Sequence, residues 1–584
     1  MQEPFNTLLQ NLHASAGQIP ADLIIDNIQI VDVFTERIYP GALLIHGETI
    51  VAVNPGRQVD AAQTFDGKGM FAVPGFMDCH VHIETTLLTP EALASVIVPW
   101  GTTTLFVDAM EIANVLGIKG LKCLLGNRDL PFRTFMEVPS RVPTAPGLET
   151  TGGVLGVEEV AELLDDEIAV SLGELDPEKI LNYKPEYLKK ILHARQRGKI
   201  CNGHAIGLDW DQLNIYAAAG LSDDHESVTY NELFERLRLG LKPLVREGST
   251  ERNLTELISG VVANHLPTED ILFCTDDKHV NDIAEEGHIS YNIQKSVELG
   301  LDPVKAIKIA TINAARHFRL DHMVGSLTPG RLADIVLLED LTDIRPAHVF
   351  KGGSLVASAG VLEKEIKGDY PDFMLSTVIV PPGLSEADFS IPATGKTAKV
   401  RVIHLYPDQI INYGSQEVLA VLDGAVLPDV ARDILKLSVV ERYGKNGQVA
   451  SGFVKGFEIQ EGAIASSVSH DHHNIVIVGT NDRDMALAAR ELERCQGGFA
   501  AVRDGQVLGV LPLPIGGLMS PLPAKAVMEE IEALNQVVAE MGSAMPAPFM
   551  SLSFVSLPTV PELGLTDLGL IDVLKHRIIP VVLD

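Results

Sequence analysis

The sequence predicts an α/β protein: a (β/α)8 TIM-like barrel, a discontinuous small β-sandwich domain and a C-terminal α+β domain. Three observations predict this architecture. The chain has 584 residues; short apolar runs alternate with helical patterns in its first half; and strand-rich segments lie on both sides of that alternation. Strands that alternate with helices form parallel sheets, and the alternation continues for about 250 residues, the length of such a barrel.

The first segment, residues 1–74, has the pattern of short strands joined as hairpins. Ala21–Asp32 and Ala42–Val53 alternate apolar and polar residues around turn residues. Residues 322–384 return to strand character, beginning with Gly325–Leu338. We therefore expect residues 1–74 and 322–384 to form one small β domain, with the second part also containing a linker.

Residues 75–321 carry the pattern predicted for the barrel. The predicted strands are Thr102–Val107, Phe132–Val138, Ile168–Gly173, Lys199–Gly203 and Asp270–Cys274. The predicted helices are Glu158–Leu164, Pro185–Arg195, Asn231–Leu239 and Ile293–Leu299. A further helix is expected to begin at Asp302 and Pro303, because a cap residue followed by proline is typical of a helix start.

Residues 385–584 are predicted to form the C-terminal α+β domain. Hairpin turns are expected at Asp423-Gly424 and Asp504-Gly505. A helical stripe then repeats at spacings of four and three, through Val527, Ile531, Leu534, Val538 and Met541. Gly542 follows the stripe as a stop signal.

Composition excludes several classes of partner. Lys and Arg number 46 against 78 Asp and Glu, a net charge of −32. Such a surface repels polyphosphate, so neither nucleic acid nor an anionic membrane is expected as a partner, and no apolar run is long enough to span a bilayer. The five cysteines are far apart and include no Cys-x-x-Cys pair, which predicts a cytoplasmic enzyme without a disulfide framework.

The clearest chemical signal is the pair His80 and His82 in the segment Pro74–Glu84. Side chains two residues apart on a strand point to the same face. At the C-terminal end of a barrel strand, that face looks into the mouth where active sites form. Imidazole pairs there suit a divalent cation, although two hydrogen-bonded polar side chains at a strand end are the simpler alternative for an isolated pair.

Further candidate ligands follow, each at the end of a short apolar run: Glu174, His204, His225 and Asp276. Any one of them alone would be read as structural. Together with the first pair, on successive strand ends, they predict a site for two cations with Glu174 placed between them. The predicted metal ligands are His80, His82, Glu174, His204, His225 and Asp276.

These residues, with Thr311, Asn313 and Gly325–Val336, resemble the metal-dependent amidohydrolase superfamily. Within it, nearly the whole chain is similar to the bacterial adenine deaminase family. The matching segments are His80–Glu84, Gly101–Thr104, Glu111–Gly117, Val138–Ser140, Glu149–Gly153, Leu172–Glu174, Gly203-His204, Ser222–Glu226, Arg246–Ser249, Phe273–Asp277 and His473–Asp482.

The resemblance implies hydrolytic deamination of adenine to hypoxanthine and ammonia, in purine salvage, by a hydroxide that metal ions activate. It implies two divalent cations as cofactors: manganese, with iron or zinc as alternatives. The catalytic residues would be Asp276 as the proton acceptor, His225 as ligand or electrophile, and Glu174 as the bridge. A homo-oligomer, dimer or larger, is also implied.

Residues for substrate binding are predicted as well: Glu84, Glu111, Arg246 and His473. Arg246 is expected either to contact substrate or to pair with an acid. The histidine-rich segment 470–473 is expected to form a lid over the barrel mouth or, as an alternative, a further metal site.

Two departures from the family pattern keep other hypotheses open. Met110 stands where a histidine is expected, and Leu175–Tyr183 is altered. A related amidohydrolase acting on another aminopurine or a cyclic amide is therefore the second hypothesis. A metal-free binding or assembly module is the third, and the presence of every candidate ligand argues against it.

Overall fold

The computed structural model describes residues 2–127, 129–406, 412–559 and 562–583. Its secondary structure is mixed α/β, as the sequence predicts, and the strands form mixed, parallel and largely antiparallel sheets. Every helix in these described ranges is too short or too polar to traverse a bilayer.

A mixed sheet combines strands from the start of the chain with strands that follow the parallel region. Ile335–Leu338 pairs antiparallel with Phe71–Pro74, which lies parallel to Ala21–Asp32. In sheet order the strands are Val361–Leu362, Ser354–Ser358, Pro346–Lys351, Ile335–Leu338, Phe71–Pro74, Ala21–Asp32, Arg37–His46 and Thr49–Val53, with Ala61–Asp66 paired to Ala21–Asp32. The helix Gln2–Ala16 packs against the edge of this sheet.

Two parallel sheets occupy the region that contains the candidate ligands. The strands of the first are Phe76–Val81, Thr102–Val107, Arg133–Val138, Ala169–Leu175 and Ile200–Gly203; those of the second are Asp223–Asp224, Lys242–Arg246 and Leu272–Cys274. Val81 and Asp276 form a parallel bridge between the sheets. At their other edges, the Ser222 N–H donates to the Cys201 carbonyl at 2.8 Å.

Helices alternate with these strands, as predicted. They are Pro90–Ile97, Met110–Leu124, Val157–Leu163, Pro177–Leu181, Pro185–Gln196, Trp210–Ala218, Tyr230–Arg238, Leu254–Ala263, Val280–Glu286, Ile289–Glu298, Pro303–Lys308 and Ala314–His317. The Asp302 side chain accepts hydrogen bonds from the N–H groups of Val304 and Lys305, which explains why the helix begins at Pro303.

Along the strand Phe76–Val81, side chains point alternately into the apolar core and towards the candidate site. Met77 and Cys79 are buried in an apolar cluster with Phe106 and Leu272. Successive residues of a strand point to opposite faces. His80, which follows Cys79, therefore lies on the opposite face, which also carries the other candidate ligands.

The C-terminal region is built on a further sheet. In sheet order its strands are Ala425–Val426, Asn412–Leu422, Thr397–Leu405, Val449–Lys455, Leu435–Val440, Ile475–Gly479, Ala463–Ser466, Gly498–Arg503 and Gln506–Pro512, with Val582–Leu583 paired to Thr397–Leu405. The helices are Asp482–Cys495, Ala524–Glu540 and Pro548–Phe554, and a small sheet contains Leu563–Thr566, Gly569–Asp572 and Arg577–Ile579. Both predicted hairpins are present, and at each the Asp and the Gly have positive φ, as a two-residue turn of this kind requires.

Candidate metal centre

Hydrogen bonds fix the orientation of the two histidines at the end of the strand Phe76–Val81. His80 Nδ1 lies 2.6 Å from the Glu137 carboxylate, and His82 Nδ1 lies 2.7 Å from the carbonyl oxygen of Asp108. Both partners are acceptors, so each ring donates from Nδ1, and its neutral form keeps a lone pair on Nε2. His80 Nε2 is buried and has no hydrogen-bond partner among the described residues.

Carboxylate oxygens lie close to both of these lone pairs. Asp276 Oδ1 is 3.6 Å from His80 Nε2 and 3.5 Å from His82 Nε2. Glu174 Oε1 lies 3.7 Å from His82 Nε2, and Glu174 Oε2 lies 4.0 Å from His80 Nε2. Two atoms that both ligate a zinc-sized ion tetrahedrally at about 2.1 Å are roughly 3.4 Å apart. The spacing of these atoms therefore fits a shared cation.

Glu174 also contacts a second pair of histidines. Its Oε2 lies 2.8 Å from His204 Nδ1 and 3.3 Å from His225 Nε2. The ring of His225 stacks on that of His80, with 4.4 Å between the centroids. The structure thus brings all the predicted ligands together, with Glu174 between the two histidine pairs.

The donor set suits divalent cations. Imidazole nitrogens and carboxylate oxygens bind manganese, iron and zinc alike, and all the groups except His204 are buried. The buried, unpartnered His80 Nε2 is the atom that a cation would satisfy. The residues present therefore fit the metal that the family resemblance implies, and their assignment as ligands stays a prediction.

Two arginines keep the carboxylates ionised. Burial alone would raise the pKa of Glu174, but the charges of Arg141 and His204 hold it well below its usual value. Burial likewise opposes ionisation of Asp276, yet the guanidinium of Arg246 keeps its pKa at about 2. Ligation requires deprotonated carboxylates, so both groups are ready to bind a cation at neutral pH.

Arg246 is paired with acids. Its Nη1 donates to Asp276 Oδ2 at 2.6 Å and to Glu226 Oε1 at 2.7 Å, and its Nη2 donates to Glu226 Oε2 at 3.2 Å. Of the two expected roles, the structure displays the ion pair. A contact between Arg246 and substrate stays a prediction.

Sequence reasoning missed two residues of this centre. Arg141 is buried, donates to Glu174 and lies 3.0 Å from Asp176. Glu137 orients His80 and also accepts a hydrogen bond from Asn202 at 2.6 Å. Both follow or end the strand Arg133–Val138, so the signal that identified Glu174, a charged residue at the end of an apolar run, was available for them too.

The predicted substrate-binding residues other than Arg246 lie around the start of the helix Met110–Leu124. Glu84 Oε1 accepts a hydrogen bond from the Ile112 N–H at 2.9 Å. Glu111 accepts hydrogen bonds from His470 Nδ1, at 3.0 Å, and from His473 Nε2. The segment 470–473 thus brings side chains of the C-terminal region into contact with the region that contains the parallel sheets.

Glu111, His470 and His473 form a second cluster in which ligating atoms lie within 4.8 Å of one another. The Ser469 N–H donates to His473 Nδ1 at 3.1 Å, so the ring proton of His473 is on Nε2 and points at Glu111. A cation bound between Glu111 and His473 would have to displace that proton. The hydrogen bonds therefore favour a pair of histidines that holds the Glu111 carboxylate in place over the alternative of a further metal site.

Comparison with known proteins defines the class first. Residues 71–397 match the sequence model described as the amidohydrolase family, and residues 409–577 match the one described as the adenine deaminase C-terminal domain. Among solved structures, phenylurea hydrolase B is 18% identical with a TM-score of 0.45, covering 60% of this chain and all of that chain (100%).

Relatives that match nearly the whole chain identify the family within this class. An adenine deaminase from Desulforamulus reducens is 66% identical over 580 residues, covering 99% of each chain. An adenine deaminase from Halalkalibacterium halodurans is 41% identical over 578 residues, covering 98% of each. The chain belongs to the adenine deaminase family, and the predicted membership is confirmed.

Proposed function

We propose that this protein hydrolyses adenine to hypoxanthine and ammonia. The observation that carries the proposal is the orientation of His80 and His82, whose Nε2 lone pairs face the carboxylates of Glu174 and Asp276. High identity to relatives named adenine deaminase over nearly the whole chain supports adenine, rather than another aminopurine or a cyclic amide, as the substrate.

We propose two divalent cations as cofactors: manganese, with iron or zinc also matching the ligands. His80, His82, Glu174, His204, His225 and Asp276 would hold them. When bound, such ions supply the Lewis acidity that lets water act as a nucleophile at neutral pH. The position of Glu174, in contact with both histidine pairs, supports its role as the bridging ligand.

The chain's own residues would accept and transfer the protons of the reaction. Arg246 occupies Asp276 Oδ2, so Oδ1 of the same carboxylate faces His80 and His82. Asp276 would accept the proton that the attacking water loses as oxygen bonds to C6 of adenine. That proton must then reach the exocyclic nitrogen, because the C–N bond breaks readily only when ammonia leaves.

We further propose that the two parallel sheets close into a (β/α)8 barrel over residues 75–321, with the ligands at its C-terminal mouth. The Val81–Asp276 bridge and the bond between Ser222 and Cys201 support closure. Residues 1–74 and 322–384 would form the small β domain, and residues 385–584 the C-terminal domain. A cytoplasmic homo-oligomer acting on the free base is consistent with the net charge of −32.

An ammonia-release assay tests the function. The purified protein is offered adenine, other aminopurines and cyclic amides, and its bound metals are measured by elemental analysis. We expect equal yields of hypoxanthine and ammonia from adenine, and two divalent ions per chain. Turnover of another compound with none of adenine would establish the second hypothesis, and a folded, inactive protein that takes up no metal would establish the third.

A further inference from the structure

His473 and His470 both contact Glu111, but their ring nitrogens are used differently. His473 Nδ1 accepts from the Ser469 N–H and its Nε2 donates to Glu111, so neither nitrogen is free. His470 uses Nδ1 for Glu111, and its Nε2 has no hydrogen-bond partner among the described residues. His470 and His472 are therefore the histidines of this loop that can bind a further group, since His472 Nε2 is also buried without a hydrogen-bond partner among the described residues. Of the two, His470 is the one that hydrogen-bonds to Glu111.

The ring of His470 is held in place from two directions. Glu111 fixes its Nδ1 edge, and the ring of Phe554 stacks on its face, with centroids 4.6 Å apart and an interplanar angle of 18°. His473 holds the other oxygen of Glu111, so the carboxylate cannot rotate freely. The free Nε2 of His470 is thus aimed in a fixed direction.

Unpartnered polar atoms lie near this group. Glu84 Oε2 and Asp277 Oδ1 are buried and have no hydrogen-bond partner among the residues the structure describes. Asp277 has a carboxylate oxygen within 4.8 Å of ligating atoms of His82 and Asp276, which places it at the metal centre. Burial lowers the pKa of His470, but Glu111 raises it to about 9. Arg141, which donates to Glu174, has its Nη1 3.9 Å from Oδ2 of Asp471, the residue next to His470, so this loop reaches the metal centre.

These atoms suit a purine. A purine ring offers several nitrogens that accept hydrogen bonds and one ring N–H that donates. A His470 ring protonated on both nitrogens donates from Nε2, and the carboxylate of Asp277 accepts. Buried polar atoms without partners are costly, and sites that leave them for a ligand gain specificity from it.

We propose that His470 is a specificity-determining residue, which donates a hydrogen bond from Nε2 to a ring nitrogen of the purine. Glu111 and His473 act as positioning residues for it. The C-terminal region thereby supplies part of the subsite that recognises the base. This inference rests on the proposed function, which it deepens by assigning base recognition to a loop outside the parallel sheets.

Two substitutions distinguish the role of His470 Nδ1 from that of its Nε2. His470→Asn keeps an amide near the position of Nδ1, where it can still contact Glu111, but removes Nε2. His470→Gln places an amide nitrogen near the position of Nε2. We expect His470→Asn to raise KM for adenine about tenfold, the effect of one lost hydrogen bond to substrate, with a smaller change in kcat. His470→Gln should restore KM to within about threefold of the original.

Inhibition by 1-deaza-, 3-deaza- and 7-deazaadenine identifies the contact. The analogue that lacks the contacted nitrogen should inhibit the unaltered enzyme more weakly than the other two, and this difference should disappear in His470→Asn. His265→Asn, at an exposed position, serves as the control and should leave every constant unchanged. Circular dichroism and metal content should match between variants.

The outcomes distinguish failure of the proposed function from failure of the role assigned to His470. If the unaltered protein releases no ammonia from adenine, the proposed function itself fails. If it is active, and His470→Asn has the same KM and the same ranking of the deaza analogues, only the role of His470 is overturned. A loss of kcat that His470→Gln does not rescue, with KM unchanged, would likewise reject recognition of the base by Nε2.

Discussion

Two buried clusters of carboxylate and imidazole lie in this molecule, and the pair His80 and His82 of the first holds its protons in the opposite way to the pair His470 and His473 of the second. Around Glu174, His80 and His82 carry their ring protons on the outer nitrogen, bound to Glu137 and a backbone carbonyl, and turn lone pairs inward. Around Glu111, two imidazole N–H groups point inward at the carboxylate.

This difference shows that residue types alone do not define a metal site. Both clusters contain histidines and an acid within ligating distance of one another. What separates His80 and His82 from His473 is the outer hydrogen-bond partner of the ring. An acceptor leaves the inner nitrogen free to bind a cation, whereas a donor, the Ser469 N–H, leaves the inner nitrogen of His473 protonated. One cluster is prepared for cations and the other holds a carboxylate in place.

The largest effect is expected from Glu174→Gln. The amide cannot serve as a charged bridge between the histidine pairs, so deaminase activity should fall by about a thousandfold or more, the size of effect expected when a group that stabilises transition-state charge is lost. Metal content should fall with it. Ammonia release and elemental analysis measure both. Glu158→Gln, at an exposed position, is the control, and retention of full metal content by Glu174→Gln would contradict the central role of this carboxylate.

Glu137→Gln should have the next largest effect. Glu137 accepts from both His80 and Asn202, whereas glutamine has only one accepting atom, so its NH₂ group must oppose one of these donors. Loss of such an outer partner costs about 10- to 100-fold in metal affinity or activity. Titration of the metal-free variant with manganese provides the measurement. Unaltered affinity would show that the proton on His80 Nδ1 is held by other means.

Glu111→Gln should destabilise the protein in a pH-dependent way, without loss of metal. Burial raises the pKa of Glu111 but His473 and His470 bring it well below its usual value, while the pKa of His470 is raised from 6.5 to about 9. The stabilisation from the charged His470 is complete below its unfolded pKa and is lost as the pH rises through about 9. Breaking this buried ion pair should cost about 3 kcal/mol near pH 6.

Urea unfolding at pH 6 and at pH 9.5 tests that expectation. The difference in free energy of unfolding between the unaltered protein and Glu111→Gln should shrink at the higher pH. Glu158→Gln should give the same small difference at both. A gap that stays constant across this range would mean that His470 is not charged beside Glu111.

The smallest effect is expected from His473→Gln. The glutamine amide can still donate to Glu111, but nothing accepts the Ser469 N–H in place of Nδ1. The cost should be about 1 kcal/mol, measured by thermal unfolding, and metal content should not change. A loss of bound metal in this variant would overturn the distinction between the two clusters.

Local pattern was sufficient to predict which side chains meet at the candidate metal centre. Each lies at the end of an apolar strand run, and the observed strand Thr102–Val107 has the predicted bounds. Glu137 and Arg141 were missed because their importance depends on which strands become neighbours: His80 and Glu137 are 57 residues apart in the sequence. The position of a ring proton is harder still to predict, since for His82 it depends on the backbone carbonyl of Asp108.

The contact between Glu111 and the histidines of segment 470–473 joins positions that are about 360 residues apart, at separations of 359 and 362. Its consequence concerns recombination. A chimaera that takes its amidohydrolase region from one family member and its C-terminal third from another inherits the acid from one parent and the imidazoles from the other. Such hybrids should work only when both parents share this triplet, whatever their overall identity.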